Sequence, residues 1–189
     1  MYQTRDGRWL QLLNIYPRTK SAALALLGCS DSVSAIAAAV REHDGLALEE
    51  RFNQAGLQAT LVRTAEEFTQ TEQFGYLKDM PLVEITKIGD SDPVPFTADP
   101  RTPLDGIRAL GLGRVIAGAG LGRALAYHGA DVLNLWGPGD FEMDLTYYTA
   151  NVGMRSATMD LKRADEMTRF KALLGDADLF FSNRRPGFL

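Results

Sequence analysis

GLGRVIAGAGLGRALAYHGADVLNLW, residues 111–136, places five glycines in its first twelve positions, then an alanine-rich segment, then an apolar run. That order predicts strand, glycine turn, helix and strand, the opening of a parallel α/β sheet. It poses a choice between a nucleotide-binding turn and a turn whose glycines serve packing. The dinucleotide fingerprint needs G-x-G-x-x-G at the turn and an acid about 20 residues on. Counted from Gly111 the third glycine falls on Ile116, and counted from Gly118 it falls on Arg123. The second strand ends on Leu135 and Trp136, where the acid should stand. A phosphate loop of the G-x-x-x-x-G-K-[ST] type fails as well, because Ala119 and Gly120 follow Gly118. The alternative is that Gly118, Gly120 and Gly122 bring the helix backbone close to the sheet and leave a groove at the helix start.

Outward from this stretch the alternation continues. Strand 106–112, helix 117–129, strand 131–136, a polar excursion, helix 163–175 and strand 177–182 predict about three parallel strands with helical crossovers. Residues 104–189 therefore read as the opening half of a Rossmann-like sheet. Residues 91–103, SDPVPFTADPRTP, hold four of the eight prolines and read as a linker. Residues 1–90 read as a small α+β domain. Its strands are expected at 8–15, 57–62 and 82–88, and Pro17 opens a helix that Gly28 closes. Ser30 or Asp31 is expected to cap a second helix, 46–56 a third, and Thr64 a fourth over TAEEFTQTEQF. The fold class is α/β.

Composition bounds the function. The chain has 189 residues, 46% of them hydrophobic, enough for a real core. Its net charge of −4 offers no field for a phosphate backbone, so no nucleic acid partner is expected. Cys29 is the single cysteine, which excludes an internal disulfide framework and points to the cytoplasm. His43 and His128 lie far apart, and no metal site is expected. Apolar stretches such as 35–40 fall far short of the roughly 20 residues a membrane span needs, and the N-terminus has no apolar leader, so no membrane partner is expected.

Four blocks, in order, carry a resemblance: PLDGIRALGLGRVIAGAGLGRALAYHGADVLNL, GPGD, NVGMRSATMDLK and ADLFFSNRRPGFL. Residues 103–189 resemble the N-terminal region of the family III CoA-transferases. This is the carnitine dehydratase/bile-acid-inducible protein F family, which includes formyl-CoA transferase and α-methylacyl-CoA racemase. YQTRDGRWLQL, LEERFNQAGLQATLVRTAEEF and LVEITKIGDSDPVPFTADP resemble the family's small domain. In ordinary members that domain follows the large-domain segment, so the order here is reversed. A chain across the junction of a tandem fusion, or a split or truncated product, gives this order.

The resemblance implies coenzyme A or an acyl-CoA as substrate, with no tightly bound cofactor. It implies that Arg114, Val115 and Ile116 line the pantetheine approach, and that Arg155, Asn183, Arg184 and Arg185 surround the nucleotide end. Arginine forks suit phosphates, and the last group follows a strand's carboxyl end, where open α/β sheets bind ligands. The sequence departs from the usual pattern at Gly111, Gly120, Trp136, Met154, Ser182 and Arg184. Trp136 and Phe181 read as core, and His128 as a helix C-terminal charge. The family's catalytic aspartate lies beyond the R-P-G block and has no counterpart before Leu189, so no catalytic residue is assigned. Asp140 and Asp144 read as solvated or helix-capping acids. The expected function is part of a CoA-transferase or acyl-CoA racemase that contributes CoA-binding surface without being a complete catalyst. The alternative is a non-catalytic acyl-CoA-binding or scaffold subunit that completes a partner chain. A homodimer, or a complex with a complementary family chain, is the assembly the family implies. A nicotinamide-dependent oxidoreductase is disfavoured by the missing third glycine and acid.

Overall fold

The structure is a computed structural model that describes every residue except Phe141 and Leu189. The fold is mixed α/β, and the chain forms two compact units, Met1–Ile88 and Gly89–Leu189.

In the first unit β1 (Tyr2–Gln3), β2 (Trp9–Leu12) and β3 (Ala59–Leu61) form an antiparallel sheet in that order. Helices α1 (Pro17–Leu27), α2 (Val33–Arg41) and α3 (Gly45–Gln54) accompany it, and Leu10, Val40, Leu48, Phe52 and Leu61 fill the core. Gly28 takes a left-handed φ of 67° and ends α1, as its position predicts. Ser32, rather than Ser30 or Asp31, caps α2 by accepting from the Ala35 N–H, while Asp31 pairs with Lys20 at 2.7 Å. The helix expected after Thr64 is two short ones, α4 (Ala65–Thr69) and α5 (Glu72–Leu77). Thr64 and Thr71 each accept from an N–H three residues on, so the second threonine restarts the helix.

The outer edge of β3 is closed by side chains. The Leu61 N–H donates to Glu49 Oε1 at 2.8 Å, and the Leu61 carbonyl accepts from Arg63 Nη1 at 3.2 Å. Arg63 also grips the Glu49 carboxylate through both guanidinium arms. Arg63 holds the buried Glu49 carboxyl below its ordinary range, helped by the Leu61 N–H and against the effect of burial. The strand expected at 82–88 does not form. Leu82, Ile85 and Ile88 stand almost fully exposed, and an alternating run with no neighbouring strand has no ladder to hold it.

In the second unit β4 (Arg108–Leu112), β5 (Asp131–Trp136), β6 (Arg155–Thr158) and β7 (Leu179–Ser182) form one parallel sheet, ordered β6-β5-β4-β7. Helices α6 (Ala117–Tyr127) and α7 (Asp144–Ala150) carry the chain from β4 through β5 to β6. Helix α8 (Ala164–Gly175) then returns it to the far side of β4. Four strands stand where about three were expected, because α7 and β6 occupy the polar excursion. The order reverses direction at β4, which puts a topological switch point between the carboxyl ends of β4 and β7. Ala109, Val132 and Phe181 anchor one core cluster, and Leu110, Leu112, Leu135 and Phe170 the other.

Candidate functional site at the switch point

The glycines of the opening stretch are close-packing residues with one exception. A Cβ on Gly118 would meet the Asn183 side chain and the Gly113 Cα, and one on Gly122 would meet Met154 and Phe181. Gly111 likewise faces the Phe181 ring. Gly120, grouped with them on sequence, has nothing within 4 Å of where its Cβ would lie. The helix start therefore lies directly on the loop that leaves β4, and Phe181 is core, as expected.

That loop is pinned by side chains. Asn134, fully buried in β5, accepts from the Gly113 N–H and donates to the Gly113 carbonyl, both at 2.9 Å. Asn183, just past β7, accepts from the Arg114 N–H at 2.9 Å and donates to the Arg114 carbonyl at 3.0 Å. The Val115 N–H donates to Glu142 Oε2 at 2.9 Å. Three successive backbone N–H groups thus donate to oxygens of the chain's own side chains. In this structure the loop amides do not form a phosphate cradle. Val115 sits at φ 55°, a left-handed conformation that costs a β-branched residue about 1–3 kcal/mol, and the bonds of Asn183 and Glu142 to the peptide before it hold it.

Beside the loop two arginines share one carboxylate. Arg114 Nη1 lies 3.2 Å from Asp140 Oδ1, Arg184 Nη1 lies at the same distance, and Arg184 Nη2 bonds Asp140 Oδ2. The Gly137 N–H completes the set at 2.8 Å. The side chains of Arg184 and Asp140 are only 11% and 15% exposed, so this is a partly desolvated knot rather than a surface ion pair. Burial alone would push the Asp140 carboxyl up. The Arg184 hydrogen bond, the Gly137 N–H and the two guanidinium charges outweigh it and hold the pKa below the ordinary aspartate value. Asp140 is therefore neither a solvated acid nor a helix cap. Asp144 is exposed, as expected, but it is the first residue of α7 and Met143 holds the cap position.

Arg184 faces a cleft of about 670 Å³ along the carboxyl ends of the strands. Leu112, Met159, Leu161 and Met167 supply apolar wall, Trp136 and Phe188 aromatic faces, and Lys162 a second cation. The Arg184 guanidinium also stacks 4.5 Å from the Phe188 ring centroid. Trp136 therefore lines the cleft, where the sequence reading placed it in the core.

The sequence-derived candidates divide. Arg114, Val115, Asn183 and Arg184 meet at the switch point. Ile116 is exposed at the start of α6, and Arg185 is exposed beside Arg184. Arg155 is apart from all of them. It begins β6 at the opposite end of the sheet and grips Asp131 at the start of β5, with Nε at 3.0 Å and Nη2 within 2.6 Å. Missed on sequence were Asn134, Asp140 as an arginine partner, and Lys162. An uncharged amide inside the otherwise apolar run 132–136 was the available signal for Asn134. His128 caps α6 at its C-terminal end, as expected. Among the described residues no cluster of histidine, cysteine and acidic side chains could hold a metal, and no helix is long and apolar enough to cross a membrane.

Comparison with known proteins adds a family. Acetyl-coenzyme A transferase nodX of Hypoxylon pulicicidum is 25% identical over 206 residues, which take in 100% of this chain and 35% of that protein. Succinate–glutarate CoA-transferase of Agrobacterium fabrum is 35% identical over 106 residues, 46% of this chain and 26% of its own length. A solved CAIB/BAIF family protein from Brucella suis is 29% identical, with a TM-score of 0.40, over 46% of this chain and 27% of that one. The chain thus spans roughly a quarter to a third of the length of these curated relatives. The description CoA-transferase family III matches residues 104–189, the whole of the glycine turn, the arginine knot and the cleft. Over those residues the chain is similar to CoA-transferase family III.

Proposed function

We propose that the chain supplies CoA-binding surface to a family III CoA-transferase and does not itself complete the catalyst. Coenzyme A or an acyl-CoA is the substrate, and the cleft beside Arg184 takes its nucleotide end. The observation that carries this reading is the Arg184 guanidinium, held by Asp140 at the mouth of a cleft that also presents Lys162, Trp136 and Phe188. CoA offers a 3′-phosphate, a pyrophosphate and a flat adenine. Arginine and lysine pair with phosphates, and aromatic faces receive the ring. Because the loop amides are already engaged, phosphate recognition here falls to side-chain cations. Transfer is favoured over racemisation because the curated relatives named above are transferases. The alignment with nodX runs along the whole chain and takes in 35% of that protein, which supports a piece of a longer, tandem-like arrangement.

A non-catalytic subunit that completes a partner chain is the second reading. It is favoured by edge strand β6, whose four residues are all exposed, and it brings with it a homodimer or a complementary family chain. The single cysteine, Cys29, supports the cytoplasm as the setting.

Acyl transfer by the family's route needs a carboxylate free to take the acyl group. Asp140, bonded by two arginines, is unsuited to that. The purified chain incubated with succinyl-CoA, formyl-CoA or a 2-methylacyl-CoA and an acceptor acid should give no turnover. Turnover that Asp140→Asn abolishes would overturn this assignment.

A further inference from the structure

We propose that Asn134 is a positioning residue for CoA binding. Its carboxamide sets the peptide planes on either side of Gly113, and Arg114 projects from the second of them. The idea rests on the CoA reading for its ligand, but the clamp is a separate claim.

The geometry is a chain of reciprocal bonds. One peptide plane joins the Gly113 carbonyl to the Arg114 N–H. Asn134 Nδ2 donates to the carbonyl end at 2.9 Å, and Asn183 Oδ1 accepts at the N–H end, also at 2.9 Å. The preceding plane is held by the Gly113 N–H on Asn134 Oδ1. The following plane is held by Asn183 Nδ2 on the Arg114 carbonyl and Glu142 on the Val115 N–H. Asn134 is thus the only one of the three clamping side chains that engages both the first plane and the second. It is fully buried, and its Nδ2 also donates to Asn151 Oδ1 at 3.4 Å. A buried amide with donor and acceptor both matched to one residue's backbone fixes that backbone's orientation, because any rotation leaves polar groups unpaired where water does not reach. Without this clamp both peptide planes at Gly113 are free to turn, and Arg114 and Val115 are held by Asn183 and Glu142 alone. The aim of the Arg114 guanidinium at Asp140 is then less fixed.

The test uses the full chain as native protein, Asn134→Asp and Asn134→Ala. An ionised carboxylate at 134 still accepts from the Gly113 N–H but repels the Gly113 carbonyl, whereas a protonated one donates to it. Burial raises the pKa of such a carboxyl, so the donor returns on acidification. The CoA dissociation constant of Asn134→Asp, divided by the native value at the same pH, should be about tenfold or more at roughly pH 8 and fall to about threefold or less at roughly pH 5. Asn134→Ala should stay weak at both. Without ligand, hydrogen-exchange protection of the Arg114 amide should fall in Asn134→Asp at the higher pH and recover at the lower. A ratio flat with pH, or native-like CoA affinity in Asn134→Ala, overturns the proposal. If native protein does not bind CoA, the CoA reading falls and the Arg114 amide decides the clamp, with unchanged protection refuting it. If Asn134→Asp unfolds at the higher pH, Asn134→Ala decides, and native-like Arg114 protection there refutes it.

Discussion

Adding one methyl group at two neighbouring glycines separates the packing role of the glycine turn from a generic helical one. In Gly118→Ala the new Cβ would meet the Asn183 side chain and lie 2.6 Å from the Gly113 Cα, closer than real carbon atoms approach. The obstructing Gly113 atom is backbone, itself pinned by Asn134, so it cannot swing aside cheaply. Overpacking of this kind costs about 1–3 kcal/mol, against a gain of up to about 1 kcal/mol for alanine over glycine in a helix. The net expectation is a loss of up to about 2 kcal/mol by those two terms. In Gly120→Ala nothing lies within 4 Å, and only the gain of up to about 1 kcal/mol remains. For a unit of this size 1 kcal/mol moves the melting midpoint by about 4–8 °C, so the two variants should part by roughly 10 °C. The chain has two tryptophans, Trp9 and Trp136, one in each unit. In a Trp9→Phe background, Trp136 fluorescence reports the second unit alone. Equal midpoints for the two variants would refute the close-packing account.

Two further outcomes follow from the first unit and the connecting segment. Glu49→Gln should cost the first unit about 2–3 kcal/mol, since it leaves Arg63 with a weakened partner near the sheet edge. Glu49 is held below its unfolded value, so its contribution is full above about pH 4.3 and is lost as pH falls through the depressed native value. Acid unfolding followed by Trp9 should accordingly show a shallower dependence in Glu49→Gln, and an unchanged slope would remove the pair from the account. Limited proteolysis should cut first between Asp90 and Thr102, where every residue is exposed and irregular. A first cut within 106–135 would contradict that.

Much of the second unit was legible because its signals are local. The strand at 131–136 follows Gly129 and was bounded to the residue, and the alternation of apolar runs with helical segments gave the parallel sheet. Strand β6 escaped because RSAT is an exposed edge with no apolar period, and α7 because it is short and holds no buried residue. The strand expected at 82–88 failed for the converse reason: the alternation is there, but pairing is a property of a neighbour, not of the run. At the site, residue types were readable but partners were not. Asp140 and Arg184 are separated by 44 positions, and Asn134 and Gly113 by 21. Arg155 looked like its fellow arginines in sequence. Its place at the start of β6 sends it to the amino end of the sheet, away from Arg184.

Calorimetric titration of the purified chain with CoA and with NAD tests the central claim most directly, with Arg184→Ala as the comparison. Measurable CoA binding is expected, weakened by about tenfold or more in Arg184→Ala through loss of a charge-assisted phosphate contact, with no measurable NAD binding. NAD binding with none for CoA would contradict the account, and so would CoA binding that Arg184→Ala leaves unchanged.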